Sequence, residues 1–153
     1  IVMKILVSVG TTAYDSLIEK VDLVSSSFSD FEFFAQISTD CSYKPINIKY
    51  IDFIENFSDF VLGYDVIITH AGAGNIYSLL ELEKRLVVVP NLTRIDKHQA
   101  DIARFVQENN FCEVCWELDA LIHSLETVIH HSYAKYSKQD FFGSKFILEF
   151  FGI

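Results

Sequence analysis

Hydrophobic residues follow two alternating patterns along the chain. In residues 66–69, Val-Ile-Ile-Thr, the apolar run is continuous, as in a strand that is buried on both faces of a parallel sheet. In residues 14–28, by contrast, Leu17, Val21 and Val24 recur at the spacing of one helix face. These patterns predict strands at residues 4–10, 31–38, 46–54, 65–70, 85–90 and 111–116. They predict helices at residues 14–28, 56–63, 75–84, 96–110 and 118–133.

The alternation of strands with helices predicts βαβ units with right-handed crossovers. The expected fold is therefore α/β and Rossmann-like, with a mostly parallel sheet and helices on both faces. A chain of 153 residues is long enough to bury one sizeable core, and it contains no repeat, low-complexity segment or Pro/Gly-rich linker. We predict a single domain over residues 1–153, with a hydrophobic helical tail from about residue 139.

The charge balance narrows the range of partners. The chain carries 21 Asp and Glu against 12 Lys and Arg, a formal net charge of -9. This charge would repel nucleic acid, so we predict no nucleic-acid partner, although backbone amides can still bind a phosphate locally. No apolar run reaches the roughly 18 residues of a membrane-spanning helix. Residues 1–12 resemble a strand and lack the basic region and cleavage site of a signal peptide, so we expect a cytoplasmic protein.

The cysteines and C-terminal histidines do not form an obvious metal site. The three cysteines, an odd and sparse set, are typical of a reduced protein. Cys112 and Cys115 lack a second pair to complete a zinc site, and on a strand their thiols would face opposite sides. We predict that both are buried as small apolar side chains, and we expect no metal and no cofactor. Three histidines are predicted to be surface or helix-cap residues: His123, His130 and His131.

Two strand-to-helix turns carry candidate binding chemistry, because ligands of open α/β sheets bind at the carboxyl ends of the strands. The first turn is Gly10-Thr11-Thr12, which follows the first strand. Gly10 permits close approach of a ligand to the backbone, and the hydroxyls and amides that follow can hold an anion.

The second turn is His-Ala-Gly-Ala-Gly-Asn at residues 70–75. Gly72 and Gly74 permit a tight turn with outward-facing amides, and Asn75 can cap the helix that follows. The helix dipole places partial positive charge there, and His70 can add a hydrogen bond or a charge to a phosphate. This turn resembles a diphosphate cradle, whereas the plainer interpretation is that the glycines only form the turn and His70 fills space. It lacks the third glycine of a dinucleotide fingerprint and the Gly-Lys-Ser/Thr of a Walker loop.

A third loop leads from Pro90 into a helix that begins near Asp96. Its polar residues are Asp96, Lys97, His98 and Gln99. Such a group suits a hydroxyl-rich ligand, since amides and carboxylates pair with sugar hydroxyls. The alternative is an ordinary N-cap with a solvated first helical turn.

These three elements together resemble the C-terminal domain of glycosyltransferase family 28. The segments that carry the resemblance are VGTTAYDSLIEKVD (9–22), YDVIITHAGAGNIYSLL (64–80) and KRLVVVPNLTRIDKHQADIA (84–103). The resemblance extends over nearly the whole chain to about Leu121. It is greatest to stand-alone donor-binding subunits of split GT-B enzymes, as in the dolichol-linked GlcNAc transferase and bacterial exopolysaccharide glycosyltransferases.

The resemblance implies that the chain is one Rossmann-like lobe of a GT-B enzyme. It would bind a UDP-sugar donor for inverting transfer to a lipid-linked sugar acceptor in polysaccharide or glycan synthesis. The acceptor lobe would be a separate, membrane-anchored partner subunit that recruits this chain to the cytoplasmic face of the membrane. Two alternatives stay open: a nucleotide-sugar-binding or assembly subunit without catalysis of its own, and a flavodoxin-like binding domain, against which residues 96–99 argue.

The resemblance also implies roles for individual residues. Those expected against the UDP diphosphate are Gly72, Ala73, Gly74 and Asn75. His70 beside them would stabilise the leaving phosphate, and the sugar of the donor would face His98 and Gln99. The cleft between the lobes would be lined by Gly10, Thr11 and Thr12. The residues suggest no good general base, which is expected on the partner lobe or at the interface.

Two positions depart from the family pattern. Ser78 stands where family members often carry an acidic residue suited to the ribose hydroxyls, and Glu81 lies one turn further along the helix. Ser78 therefore leaves a different contact to the nucleotide-sugar open. Arg94 occupies a stretch where exopolysaccharide members often have acidic residues and a histidine, and it could bind a phosphate or a sugar carboxylate.

The tail is unusually rich in large apolar side chains. These are Phe141, Phe142, Phe146, Ile147, Leu148, Phe150, Phe151 and Ile153. They surround a helix rather than forming one stripe. The tail could close the core of its own domain, or it could dock on the acceptor lobe through aromatic anchors, as the last helix does in related two-lobe enzymes.

Overall fold

A computed structural model describes residues 2–93 and 98–137 of the chain. In this part of the chain one sheet holds six parallel strands in the order β3-β2-β1-β4-β5-β6. The strands are β1 (Met3–Ser8), β2 (Phe31–Gln36), β3 (Lys49–Ile51), β4 (Val66–Thr69), β5 (Arg85–Val88) and β6 (Glu113–Val114). The predicted parallel sheet is confirmed. Arg94 and the tail from residue 139 lie outside the described residues.

Helices cover both faces of the sheet, as predicted. The α-helices are α1 (Asp15–Val24), α2 (Phe57–Phe60), α3 (Ala73–Glu81), α4 (His98–Glu108) and α5 (Leu121–Val128). Short 3-10 helices follow α1 at Ser25–Ser27, follow α2 at Val61–Gly63 and precede α5 at Leu118–Ala120. Buried residues of α1 and α5 pack on one face, and those of α3 and α4 pack on the other. None of the helices in the described ranges is long and apolar enough to cross a membrane.

The cysteine pair confirms the alternation of side chains across the last strand. Cys112 packs with the α3 and α4 face, whereas Cys115 packs with the α1 and α5 face. Both thiols are free and buried, and burial raises the pKa of Cys112 and of Cys115. Within residues 2–93 and 98–137, no group of three or more His, Cys, Asp or Glu side chains is placed to hold a metal ion.

The loop before β3 is shaped by a buried carboxylate on α1. Asp22 accepts hydrogen bonds from the Tyr43 hydroxyl (2.6 Å) and from the amides of Ile46 and Asn47 (both 2.8 Å). Burial alone would raise the pKa of Asp22, but these bonds and one from the Ile48 amide outweigh it, so the pKa lies below its ordinary value. The predicted strand at residues 46–54 is therefore shorter, because its first residues bind Asp22 instead of β2.

The strand order creates a switch point between β1 and β4. From β1 the chain continues to β2 and β3 on one side, and from β4 it continues to β5 and β6 on the other. The carboxyl ends of β1 and β4 are paired, with Ser8 opposite Thr69. In open α/β sheets a crevice forms at this point and is the usual ligand site. The two turns singled out in the sequence directly follow these two strands.

Candidate functional site

The two glycine turns meet at the switch point. A Cβ atom added to Gly10 would lie 3.8 Å from Asn75 Nδ2 and 3.9 Å from His70 Nε2. The ring of His70 also joins the strand ends directly, because its Nε2 lies 2.9 Å from the Val9 carbonyl oxygen. Residues 60 or more positions apart in the chain are thus brought into one crevice.

Gly10 has a left-handed backbone, with a φ of 68°, and one buried side chain holds it in place. Gln36 Oε1, at the end of β2, accepts hydrogen bonds from the Gly10 amide (2.8 Å), the Val9 amide (3.1 Å) and the Ser8 hydroxyl (2.8 Å). Gln36 Nε2 donates to the carbonyl oxygens of Gly10 and Asp52, each at 2.8 Å. Gln36 was not predicted as a site residue; the available signal was a glutamine at the end of a mostly apolar strand.

Gly72 leaves room for the imidazole of His70. A Cβ atom at Gly72 would lie 2.5 Å from His70 Cε1 and 2.9 Å from His70 Nδ1, closer than Cβ atoms are found in proteins. The φ of Gly72 is −83°, which any residue can adopt. The glycine is therefore required here by the space beside the ring and not by its backbone conformation.

The contact with Val9 fixes which ring nitrogen of His70 is available. A carbonyl oxygen only accepts, so Nε2 carries the proton and donates to Val9 at 2.9 Å. In the neutral ring Nδ1 only accepts, so His70 can donate to a phosphate only if Nδ1 takes up a second proton or if the phosphate replaces the bond to Val9. The proposed part of His70 in stabilising a phosphate stays a prediction.

Helix α3 begins earlier than the sequence predicted, and this corrects the role given to Asn75. Gly72 is the N-cap residue, its carbonyl oxygen accepts from the Ile76 amide (3.1 Å), and no side chain caps this end of the helix. Asn75 is the third residue of the helix, so the predicted cap by Asn75 is wrong. Its amide instead faces Gly10.

A pocket of about 270 Å³ opens between the Gly10 turn and the loop after β3. Its lining residues are Ser8, Gly10, Thr11, Gln36, Phe53, Ile54, Phe57 and Asn75. The pocket is polar on the side of the strand ends and aromatic on the other. Phe53 is 61% exposed, although the sequence placed it in a strand.

The third loop is tied to its neighbours by two further hydrogen bonds. The buried Gln99 side chain accepts the Asn91 amide at Oε1 (2.8 Å). The Tyr14 hydroxyl, at the start of α1, donates to the Pro90 carbonyl oxygen (3.1 Å). Burial raises the pKa of Tyr14 to about 12. The end of β5 is therefore held by α4 on one side and by the start of α1 on the other.

Residues 4–146 match the glycosyltransferase family 28 C-terminal domain. The chain belongs to this family. The match confirms the resemblance that the three segments indicated, and it includes both glycine turns and the polar loop.

One relative of this family 28 domain is the UDP-N-acetylglucosamine transferase subunit ALG13 of Candida albicans, which is 36% identical over 67 residues. Those residues are 44% of this chain and 23% of the relative, so the chain spans less than a quarter of that protein.

Two solved structures show the same fold. MurG of Acinetobacter baumannii superposes with a TM-score of 0.67 at 20% identity, over 84% of this chain and 42% of MurG. The solution structure of ALG13 superposes with a TM-score of 0.54 at 19% identity, over 82% of this chain and 84% of that one. The predicted architecture, one Rossmann-like lobe of a GT-B glycosyltransferase, is confirmed.

Within this family 28 domain the predicted site residues fall into two groups. Those that meet at the switch point are Gly10, Thr11, His70, Gly72 and Asn75, and Ala73 and Gly74 begin α3 beside them. Thr12 follows, exposed, at the rim. The second group is separate: His98 is exposed at the start of α4, Gln99 is buried, and Ser78 and Glu81 are exposed along α3.

Proposed function

We propose that this chain is the donor-binding subunit of a two-component inverting glycosyltransferase. It binds a UDP-sugar and acts with a membrane-anchored partner that holds a lipid-linked sugar acceptor, at the cytoplasmic face of a membrane. The product serves polysaccharide or glycan synthesis. Membership of a glycosyltransferase family supports the reaction class, and the named UDP-N-acetylglucosamine transferase subunit among its relatives supports the donor.

The observation that carries the proposal is the meeting of the two glycine turns at the start of α3. A Cβ atom added to Gly10 would lie within 4 Å of both His70 Nε2 and Asn75 Nδ2 at the switch point. The first turn of α3 adds unpaired amides and the positive end of its dipole, a suitable place for a diphosphate. The net charge of -9 makes such a local arrangement necessary for an anionic ligand.

The pocket beside Gly10 suits the nucleoside part of the donor. A diphosphate on the first turn of α3 lies next to Asn75, which also lines this pocket. Phe53 offers an exposed aromatic surface on which a base could stack, and Thr11 and Asn75 provide polar groups in the same pocket. His98 and Gln99 are proposed to face the sugar, and Arg94 is proposed to bind a phosphate or a sugar carboxylate.

The reaction follows from a donor held in this way. The acceptor oxygen attacks C1 of the sugar from the face opposite UDP, so the new C–O bond forms as the bond to the diphosphate breaks. The amides of the α3 turn and His70 stabilise the negative charge on departing UDP. The acceptor proton passes to a base on the partner lobe or at the interface.

The superposition on MurG shows how much of a GT-B site these residues supply. The superposed part of this chain corresponds to 42% of MurG, about one lobe. A GT-B site lies between two lobes, so in the proposed reaction the residues described here supply the donor half and an acceptor lobe supplies the other. In the alternative, this chain binds the nucleotide-sugar or assists assembly without taking part in catalysis, and Ser78, in place of the usual acidic residue, favours it.

Nucleotide-dependent stabilisation of the isolated chain tests the donor site. We expect UDP to raise the melting temperature more than ADP or GDP at equal concentration, because a ligand that binds only the folded state stabilises it. Equal shifts with all three nucleotides would contradict a preference for uracil. Absence of any shift would contradict a donor site that is complete on this chain.

A turnover assay distinguishes the hypothesis that this chain is a catalytic subunit from the hypothesis that it is not. The chain is reconstituted with its membrane-anchored partner and supplied with a UDP-sugar and a lipid-linked acceptor. His70→Ala is expected to lower transfer by about a hundredfold, which is typical of losing one charge-stabilising donor. Full activity of a folded His70→Ala subunit would favour the non-catalytic alternative.

A further inference from the structure

We propose that Gln36 is a positioning residue that couples the two loops on either side of the nucleotide pocket. One loop is the Gly10 turn, and the other is the segment after β3 that carries Phe53. The choice of UDP as the test ligand rests on the function proposed above, whereas the coupling between the two loops does not depend on that function.

The coupling is visible in the bonds of one carboxamide. Gln36 Oε1 accepts the Gly10 amide (2.8 Å), and Nε2 donates to the Gly10 carbonyl oxygen (2.8 Å), so both polar groups of this left-handed residue are held. The same Nε2 donates to the Asp52 carbonyl oxygen (2.8 Å), one residue before Phe53. The side chain is 2% exposed, so water does not compete for these bonds.

A second residue at the end of β2 supports the same link. The Ser38 hydroxyl donates to the Thr11 carbonyl oxygen (3.2 Å), and the Ser38 amide donates to the Asp52 carbonyl oxygen (3.1 Å). Ser38 holds a φ of 75°, a conformation that is uncommon outside glycine and costs energy. Gln36, the last residue of β2, and Ser38, two residues beyond it, thus bind the same two loops.

The chemistry of this position requires an amide. The side chain accepts at Oε1 from the Gly10 turn, and it donates at Nε2 to carbonyl oxygens of both loops. Leucine, of similar size, makes none of these bonds. A carboxylate keeps the acceptor but loses both N–H donors, and it would place negative charge against the carbonyl oxygens of Gly10 and Asp52.

The first test measures UDP affinity of folded protein by calorimetry, with Gln36→Leu compared with the wild type. We expect UDP to bind about tenfold more weakly or worse, the change that follows from losing about 1.4 kcal/mol of preorganised contacts. Tyr43→Phe is the matched control, because it removes a hydrogen bond of 2.6 Å to the buried Asp22 without touching either loop. The control is expected to keep wild-type affinity.

The second test uses Gln36→Glu over a range of pH. At about pH 8 the introduced carboxylate lacks a donor, whereas at about pH 5 protonation restores one O–H. UDP affinity, relative to the wild type at each pH, is therefore expected to rise as the pH falls. If Gln36 only stabilised the fold, the melting temperature of Gln36→Glu would change with pH, but the UDP affinity of the folded variant relative to the wild type would not. This variant also keeps the inference testable if Gln36→Leu does not fold.

The third test needs no ligand. Hydrogen exchange of Gln36→Glu at about pH 8 is compared with the wild type and with Tyr43→Phe. We expect faster exchange in both loops, at residues 9–12 and 53–57, and unchanged exchange elsewhere. Faster exchange in only one loop, or in neither, would overturn the coupling even if the wild type proved not to bind UDP. Wild-type UDP affinity in folded Gln36→Leu would overturn the inference while leaving the proposed donor site intact.

Discussion

The turns at Gly10 and Gly72 both place a glycine after a buried strand of the same sheet, yet each glycine is required for a different reason. Gly10 has a φ of 68°, and a Cβ atom there would meet only ordinary contacts at 3.8 and 3.9 Å. Gly72 has a φ of −83°, and a Cβ atom there would overlap the ring of His70 at 2.5 Å. Backbone conformation decides the first position, and side-chain space decides the second.

This difference shows how each turn is held. The Gly10 turn is fixed by a neighbouring strand through Gln36, whereas the Gly72 turn is fixed by a ring that packs beneath it and bonds to Val9. Substitutions at the two glycines should therefore respond differently to a change at His70. The predictions that follow use this contrast, beginning with the largest effect.

Gly72→Val is expected to be the most damaging change. The new side chain displaces the imidazole, breaks its bond to Val9 and covers the start of α3, so UDP binding should be lost. Overpacking of this kind costs about 2–3 kcal/mol of unfolding free energy. Chemical denaturation and UDP titration of the purified variant measure both effects.

The smaller change Gly72→Ala allows a sharper test in combination with His70→Ala. If the ring is the obstacle, the double variant should be more stable than the sum of the single changes predicts, by about 1 kcal/mol or more. Strict additivity would show that Gly72 is needed for another reason. The corresponding pair, Gly10→Ala with His70→Ala, serves as the control and should be additive.

Gly10→Ala is expected to cost about 1–2 kcal/mol of unfolding free energy, the penalty of a left-handed backbone for a residue with a Cβ atom. Gly10→Asn should cost less, since asparagine tolerates this conformation better than alanine. Denaturation midpoints of the two variants test the order. Equal stability of Gly10→Asn and Gly10→Ala would mean that contact with the Cβ atom, and not φ, decides this position.

The sequence could predict the fold because its signals are local. The continuous run at residues 66–69 and the helical spacing of Leu17, Val21 and Val24 each depend on neighbours a few residues away, and both are confirmed. Of residues 46–54 only Lys49–Ile51 form a strand, because Asp22, more than twenty positions earlier, binds the amides at the start of the predicted segment. No local pattern contains that information.

For the candidate site, too, local features could be predicted from the sequence and features that depend on distant residues could not. The glycine turns were visible in the sequence, but the reason for each glycine was not, because it depends on His70 and on φ. Gln36 was missed because a glutamine at a strand end resembles a solvated residue until the neighbours of β2 are known. Asn75 was given a cap role because the helical pattern was taken to begin two residues late.

The loop after β5 extends the comparison to a second buried glutamine. Gln99 Oε1 accepts a hydrogen bond from the Asn91 amide (2.8 Å). Gln99→Leu should cost about 1 kcal/mol, since it leaves this amide without its partner. Gln99→Ala is further predicted to lower transfer by the reconstituted pair, whose turnover measures it.

Gln99→Glu tests whether the two buried glutamines, Gln36 and Gln99, differ in their need for an N–H donor. A carboxylate can still accept from Asn91, so this change should reduce stability less than Gln36→Glu does at the same pH. Thermal denaturation at about pH 8 compares the two. A larger loss at Gln99 than at Gln36 would contradict the view that donation, and not only acceptance, is required beside Gly10.

The smallest effect is expected for Tyr14→Phe, which removes the bond to Pro90 (3.1 Å) that links the Gly10 side of the sheet to β5. At neutral pH the variant should lose about 1 kcal/mol of unfolding free energy. The difference in unfolding free energy should shrink at high pH, because burial raises the pKa of Tyr14 from 10.0 to about 12 in the folded protein. Between these two pKa values the unfolded chain releases the phenol proton and the folded protein keeps it, so the wild type loses stability as the pH rises. The variant has no proton to release at this position and should lose less, by up to about 1 kcal/mol per pH unit. Denaturation at about pH 7, 10 and 11 should therefore show the gap between the two proteins narrowing with pH, and a constant gap would mean that Tyr14 is not buried against the end of β5.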